Sequence, residues 1–465
     1  MSIKESVYFM SKKKNISFQM DLTDLLDPMY LLYWGIHIVL SFIVGSWFYF
    51  YFIPILYYGS FLTIYFVKKR MNHISNLPKT AAQFRIKSGV VKIEKHYFSY
   101  NKNLTSIKIP ESVEEIGANA FSTCKSLSTV EMPMGLTKIG LNAFRRCAKL
   151  GSIIIPDSVT HLGNNAFDEC KQLRNVIVGN NVREIGDHTF NDCVKLTSVK
   201  IGSQVKRIGS FAFNNCASLS SIVIPESVTE ICESAFEGCV NLKEITISEG
   251  VQIIGKAAFR GCCNLQRIKL PSSVKRIDAL IFEGCTKLHE IIVDSKNRIY
   301  KSNSDHNAII KSKEKKLVAV SNKCDYVPEV SVIGAYVFMN RKDLTQIKIP
   351  LGIIEVEEGA FCNCTGLTQI EMPLSLETIG AQAFCNCCNL TSLEIPANVT
   401  SIGDCAFFKC YKLQIMIVHP IIPPDVTGRL GCAPKNGARV PVQSTEIYKR
   451  ANGWNVIEIP YAYIP

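Results

Sequence analysis

Residues 239–270, CVNLKEITISEGVQIIGKAAFRGCCNLQRIKL, contain the same pattern twice. Cys239 and Leu242 precede two isoleucines spaced two apart, and Cys262 and Leu265 precede a similar aliphatic pair 23 residues later. A period of this length is typical of proteins built from stacked copies of one small unit. The rest of the chain therefore has to be examined for further copies before any other motif is interpreted.

The pattern continues in both directions, marked by a phenylalanine that usually follows an alanine. Each marked unit also has leucine at plus six from this phenylalanine, and an aliphatic residue or methionine at plus nine and plus eleven. This register indicates one long repeat array within the 465 residues. The thirteen markers, 23 residues apart in two runs, are Phe98, Phe121, Phe144, Phe167, Phe190, Phe213, Phe236, Phe259 and Phe282, then Phe338, Phe361, Phe384 and Phe407.

The spacing within a unit predicts its shape. Positions plus nine and plus eleven alternate, as in Ile107 and Ile109, so both side chains point to one side of a short strand. The run from Ala120 to Leu127 has apolar spacings of three and predicts one short helical turn. One unit cannot bury its own apolar side, so neighbouring units must stack and share a core. We therefore predict an α/β solenoid with a parallel sheet and short helical turns.

A cysteine recurs at plus three in eleven of the thirteen units. Stacked units bring successive sulfurs close, so disulfides and a metal site are both alternatives. Eleven equivalent positions cannot pair evenly, however, and free cysteine is a small residue well suited to burial. We expect a ladder of buried free thiols that serves the packing. Its members are Cys124, Cys147, Cys170, Cys193, Cys216, Cys239, Cys262, Cys285, Cys364, Cys387 and Cys410.

Two further cysteines occupy plus one in adjacent units. Cys362 and Cys385 lie beside Cys364 and Cys387, so four sulfurs are expected close together, and zinc binds such groups. The spacing is not a C-x-x-C pair, and the plus-three members are expected to point inward. Two half-exposed, oxidisable thiols are the favoured interpretation, and the metal alternative stays open.

The consensus IGxxAFxxCxxLxxIxIPxSV resembles the BspA-like leucine-rich repeat family. The resemblance implies a leucine-rich repeat array, a hairpin insert between two blocks of repeats, and a C-terminal cap in which a short helix with Tyr448 and the side chain of Trp454 cover the last unit. The expected organisation is a polar segment at 1–28, a transmembrane segment at 29–67, a linker at 68–87, repeats at 88–293, an insert at 294–329, repeats at 330–419 and a cap at 420–465.

The resemblance implies protein–protein binding or adhesion, and it supplies no catalytic residues. The eight histidines include no H-E-x-x-H pair, and the Gly-Lys at 255–256 lacks the upstream glycine of a phosphate loop. The basic run at 311–316 has no interleaved aromatic residues, so no nucleic-acid site is expected despite a net charge of +12. We expect no enzyme activity, no cofactor and no bound metal, and the protein partner cannot be identified.

The outward side of the strands is the candidate binding face. Its plus-ten residues include an apolar pair between two lysines, which suits a protein ligand, although β-branched residues there also simply favour strands. The candidate residues are Lys108, Ile154, Ile177, Lys200, Lys269 and Lys348.

Residues 29–67 contain no Asp, Glu, Lys or Arg. A bilayer core needs about 20 apolar residues in a helix, so this stretch predicts one or two transmembrane spans. The basic run Lys68–Arg70 follows directly and favours a cytoplasmic repeat array, whereas the family resemblance favours the cell surface. Two functions follow. The first is a membrane-tethered protein that binds a protein ligand, with adhesion as one form of that binding. The second is a structural or assembly scaffold on the cytoplasmic side without an external ligand.

Overall fold

The computed structural model describes residues 83–432, 434–455, 457–459 and 461–463. The strands in these residues are numbered β1 to β33 in chain order. Most belong to two stacked series, which we call the long-strand face and the short-strand face. The predicted parallel-sheet solenoid of the leucine-rich repeat type is confirmed.

The long-strand face consists of strands of three or four residues at plus eight to plus eleven. Neighbours pair in parallel at a shift of 23 residues, as in Ile222 opposite Ile245. Its members are β1 (Gln83–Arg85), β3 (Ser106–Lys108), β5 (Thr129–Glu131), β7 (Ser152–Ile154), β9 (Asn175–Ile177), β11 (Ser198–Lys200), β13 (Ser221–Ile224), β15 (Glu244–Ile247), β17 (Arg267–Leu270), β19 (Glu290–Val293), β24 (Gln346–Lys348), β26 (Gln369–Glu371), β28 (Ser392–Ile395), β30 (Ile415–Val418), β32 (Ala438–Pro441) and β33 (Tyr461–Tyr463).

The short-strand face consists of two-residue strands whose second residue is buried. They also pair in parallel, as in Ile208 opposite Ile231. Its members are β2 (Lys92–Ile93), β4 (Glu115–Ile116), β6 (Lys138–Ile139), β8 (His161–Leu162), β10 (Glu184–Ile185), β12 (Arg207–Ile208), β14 (Glu230–Ile231), β16 (Ile253–Ile254), β18 (Arg276–Ile277), β23 (Val332–Ile333), β25 (Glu355–Val356), β27 (Thr378–Ile379), β29 (Ser401–Ile402) and β31 (Asp425–Val426).

The core between the faces contains the marker phenylalanines in two stacked columns. Ring centroids of neighbours are 5.0 Å apart at Phe98–Phe121 and 6.2 Å apart at Phe259–Phe282, with nearly parallel planes. Because each ring packs on the ring of the next unit, the core is continuous along each block.

The predicted short helical turn is wrong. The segment around Phe121 is a chain of β-turns in which alternate amides bond to different units: Ala120 N–H donates to Gly117 in its own turn, and Phe121 N–H donates to Ala143 in the next unit at 2.8 Å. Asn119 in this segment has a positive φ of 56°. In an α-helical turn these amides would donate to carbonyls of the same segment. Here every second amide donates to a carbonyl of the next unit, so a helical turn cannot form.

Between the blocks lies an antiparallel hairpin of β20 (Tyr300–Ser302), β21 (Ala308–Lys311) and β22 (Lys316–Val320), and β22 then pairs in parallel with β23. Successive side chains of the hairpin pack into different cores. Ile309 packs with the first block, whereas Ile310 and Leu317 pack with the second. The two blocks therefore have separate cores that meet at this hairpin.

The C-terminal end has a 3₁₀ turn (Val442–Ser444) and one α-helix, α1 (Thr445–Arg450). Tyr448 and Trp454 pack edge to face and are almost fully buried. The Tyr448 hydroxyl donates to the Pro420 carbonyl at 2.8 Å, and Trp454 Nε1 donates to the Pro424 carbonyl at 3.0 Å. These bonds fasten the helix against the last turns of the array.

The predicted transmembrane stretch at 29–67 lies outside the described residues. Across residues 83–463, as far as the structure describes them, no helix is both long enough and apolar enough to span a bilayer. The strand β1 lies within the stretch assigned to a linker and pairs with β3.

Candidate protein-binding face

The long strands alternate between buried and exposed side chains, which sets the direction of every plus-ten residue. In β13, Ile222 and Ile224 are buried, whereas Ser221 and Val223 are exposed. The plus-ten side chains therefore form an outward row along the array, which we call the plus-ten row.

Part of the plus-ten row is apolar and exposed. Ile154 is 63% exposed and Ile177 is 42% exposed, and the two lie opposite each other on β7 and β9. Ile177 in turn lies opposite Lys200 on β11, and β13 follows with Val223, which is 60% exposed. Val223 was not among the predicted site residues, although its place in the plus-ten row was readable from the repeat.

The lysines of the plus-ten row differ in their partners. Lys108 pairs with Glu131 on the neighbouring strand at 3.2 Å, and Lys348 pairs in the same way with Glu371 at 2.9 Å. Lys269 reaches Asp294 at 3.6 Å. Exposed pairs of this kind contribute little to stability, but they neutralise the charge locally.

Lys200 is the exception. Among the residues that the structure describes, it has no ion-pair partner within 4.0 Å. Lys200 is exposed, and its strand β11 lies between the strands that carry Ile177 and Val223. Of the six predicted residues, the structure therefore brings Ile154, Ile177 and Lys200 together and places the other lysines in separate ion pairs.

A groove lies beside Lys200, where the ladder of the long-strand face is interrupted between β11 and β13. The groove has a volume of about 350 Å³. Val199, Lys200, Ser221, Val223 and Pro225 line it. Exposed apolar side chains, an unpaired cation and a groove thus occur at one place on the array.

The eleven plus-three cysteines lie on the inside of the array and are buried free thiols. Each Sγ donates to the carbonyl oxygen of the marker phenylalanine in the preceding unit, at 3.0 Å for Cys124 to Phe98 and 3.3 Å for Cys216 to Phe190. Burial raises the pKa of Cys124 and of Cys285 to about 12, so these thiols remain protonated at neutral pH.

In the two units without this cysteine, a polar side chain occupies plus three and makes different hydrogen bonds. Asn101 accepts hydrogen bonds from the amides of Asn103 and Leu104 within its own unit. Arg341, at the start of the second block, is buried; it donates to the Cys324 carbonyl at 2.8 Å and pairs with Asp343 at 2.9 Å. Polar bonding thus replaces the thiol where the stacking begins.

Cys362 and Cys385 lie on adjacent units, and burial together with the neighbouring Cys385 raises the pKa of Cys362 to about 11. Within the described part of the chain, no group of three or more His, Cys, Asp or Glu side chains is arranged to hold a metal ion.

The arrangement of repeats is found in solved structures. A leucine-rich repeat protein from Bacteroides ovatus is 23% identical, with 83% of this chain and 93% of that chain covered and a TM-score of 0.56. A leucine-rich cell surface protein from Faecalibacterium prausnitzii is 22% identical, with 83% and 91% covered and a TM-score of 0.53. At these identities the likeness shows the fold alone. A comparison with curated proteins gives no match.

The model of the BspA type leucine rich repeat region matches residues 91–219, 206–314 and 331–422. These ranges span both blocks of the array and more than half of the chain, which confirms the resemblance seen in the sequence. The chain belongs to the BspA-type leucine-rich repeat family.

Proposed function

We propose that the array binds a protein ligand through the part of the plus-ten row that runs from Ile154 to Val223. The observation that carries this proposal is the unpaired Lys200 between exposed apolar side chains, beside a groove. A binding role, rather than catalysis, also fits the family to which the chain belongs.

Two physical arguments support this location. Single exposed β-branched residues are ordinary on strands, but three exposed apolar side chains within four successive strands are more than this preference requires, and clusters of exposed apolar residues are a feature of interaction sites. A protein ligand with an acidic side chain beside an apolar one would pair with Lys200 and cover Ile177 and Val223 together. The other lysines of the row already have carboxylate partners, so they offer such a ligand less.

The test uses the full-length protein with a photo-crosslinking residue at position 177, in the cells that produce it. We expect a protein crosslink that is lost when Lys200→Glu and Val223→Asp are introduced. The matched control is Leu351→Asp, because Leu351 is 79% exposed but lies in the second block. We expect the crosslink yield to fall more than tenfold with Lys200→Glu and Val223→Asp, and to stay unchanged with Leu351→Asp.

The alternative function is a structural or assembly scaffold without an external ligand. It is favoured by the ion pairs Lys108–Glu131 and Lys348–Glu371 between neighbouring units, in which plus-ten side chains pair with each other and not with a ligand. If position 177 gives no protein crosslink, or one whose yield Lys200→Glu and Val223→Asp lower no more than Leu351→Asp does, the ligand proposal is refuted and the scaffold function is favoured.

We also propose that residues 29–67 tether the protein to a membrane, with the array on the cytoplasmic side. The uncharged stretch and the flanking Lys68–Arg70 support this placement, and cytoplasmic conditions keep free thiols reduced. Retention in membranes through a carbonate wash tests the tether. Protease added to intact cells tests the side: an array that is removed from intact cells lies on the surface, as the resemblance implies, and refutes the cytoplasmic placement.

A further inference from the structure

The plus-one side chains form a column in which neighbouring units contact each other. Arg145 Nε donates to Asp168 Oδ2 at 2.8 Å, and Asn191 donates to the same carboxylate from the other side at 2.8 Å. Arg260 and Glu283 pair in the same way. A side chain at plus one therefore meets the plus-one side chain of the next unit.

In the second block this column contains two thiols. Cys362 and Cys385 occupy equivalent positions in adjacent units. The amides of Phe361 and Asn363 bond to carbonyls of the next unit at 2.7 and 2.8 Å, the second of them to Cys385 itself. Stacking of this kind holds equivalent Cα atoms about 4.8 Å apart, which lies within the range that a disulfide spans.

Access distinguishes this pair from the ladder thiols. Cys385 is half-buried and thus the more accessible of the two to a small solute, while Cys362 is 7% exposed. The ladder thiols Cys364 and Cys387 of the same two units are fully enclosed, and each donates to a phenylalanine carbonyl instead of to another sulfur.

We propose that Cys362 and Cys385 are a redox-active dithiol that forms a reversible disulfide between adjacent units by exchange with a small-molecule disulfide such as oxidised glutathione. The Cys385 thiol loses its proton, and its thiolate attacks one sulfur of the small disulfide, forms a mixed disulfide and releases one small thiolate, which takes up that proton. The Cys362 thiol then loses its proton and displaces the second small thiol, which takes up that proton. The protein loses two hydrogen atoms, and one small disulfide is reduced to two thiols.

The sequence of attack follows from the environments. Burial and the neighbouring Cys385 raise the pKa of Cys362 to about 11, so Cys362 is the poorer first nucleophile and the natural second one. The link would fasten two adjacent units of the second block and leave the first block unchanged.

Other half-buried thiols nearby could take the place of Cys362 as the second partner in the disulfide with Cys385. Cys388 is three residues beyond Cys385, and Cys405, whose pKa is raised by burial and by the Asp404 carboxylate, lies in the next unit. A test must therefore identify both ends of the link and not only count lost thiols.

The experiment incubates the full-length protein, without denaturant, in glutathione buffers of rising oxidised fraction, then blocks free thiols and digests after glutamate. Cleavage after Glu358, Glu371, Glu377 and Glu394 places Cys362 and Cys385 on different peptides, 359–371 and 378–394. We expect these peptides to become joined as the oxidised fraction rises, and to separate after dithiothreitol.

Variants assign the sulfurs. Cys362→Ser and Cys385→Ser should each abolish the joined peptides, whereas Cys388→Ser and Cys405→Ser should leave them. Cys263, a half-buried thiol of the first block, serves as the internal control for exchange, because it should acquire glutathione. The proposal is overturned if Cys263 is modified while 359–371 and 378–394 stay separate, or if the link persists in Cys385→Ser.

Discussion

Replacing Leu219 by alanine tests how the array is held together. Leu219 occupies plus six of a central unit, and it and its equivalents Leu196 and Leu242 in the neighbouring units are all fully buried. The substitution removes three carbon atoms, which at about 0.8 kcal/mol each amounts to roughly 2.4 kcal/mol of lost transfer free energy. A cavity term adds to this, because the stacked units on both sides prevent collapse. We expect the free energy of unfolding to fall by about 3–5 kcal/mol.

The matched control is Ser221→Ala, two residues further on. Ser221 lies on β13 and points outward, so its change should stay within about 0.5 kcal/mol. Urea unfolding of the full-length protein in detergent, followed by far-ultraviolet circular dichroism, compares the two midpoints. Because repeat arrays do not always unfold in one step, the comparison requires transitions of equal slope. Equal losses in both variants would refute the inward and outward assignment of the strand.

Three further predictions concern other parts of the array. Alkylation of Cys285 by a maleimide should be slow in the folded protein and fast in denaturant, because burial raises its pKa to about 12 and the thiolate is the reactive form; peptide mapping measures both rates, and fast alkylation of the folded protein would contradict the ladder. Leu219→Ala should accelerate amide hydrogen exchange in the first block but not in residues 331–422, since the hairpin separates the cores. Equal acceleration in both blocks would contradict the prediction that the two cores unfold independently. Arg341→Ala should cost about 1–3 kcal/mol in urea unfolding, because the buried Cys324 carbonyl loses its donor; Lys342→Ala, the exposed neighbour, is the control, and an equal small loss in both would contradict this.

The strands were predictable from the sequence because alternation is a local property. Ile222 and Ile224 are two apart and must point the same way in a strand, and the 23-residue period then places Ile222 opposite Ile245. The turn segment was not predictable in this way. Its apolar spacing of three fits a helix as well as a chain of turns, and the difference lies in the bond from Phe121 to the next unit. That bond depends on a neighbour, and no residue within the unit encodes it.

The candidate site shows the same division. The outward direction of the plus-ten side chains follows from strand alternation. Val223 belongs to this row by the same argument and could have been predicted as a site residue. Which lysine stays without a carboxylate does not follow from one unit, because it depends on the side chain 23 residues away. The interruption of the ladder beside β11 is likewise a property of two units together.

The division also explains how such an array acquires a specific surface. Inside, the marker phenylalanine, the plus-three thiol and the plus-six leucine are nearly the same from unit to unit, because each must pack on its own copy. At plus ten the side chain changes from Ile177 to Lys200 to Val223 within three units, and each is exposed. Exposed substitutions of this kind alter stability by about 0.5 kcal/mol or less, so the row is free to vary while the core is constrained. Binding specificity should therefore lie in the departures from the repeat, and a substitution at Lys200 should change binding without changing the unfolding midpoint.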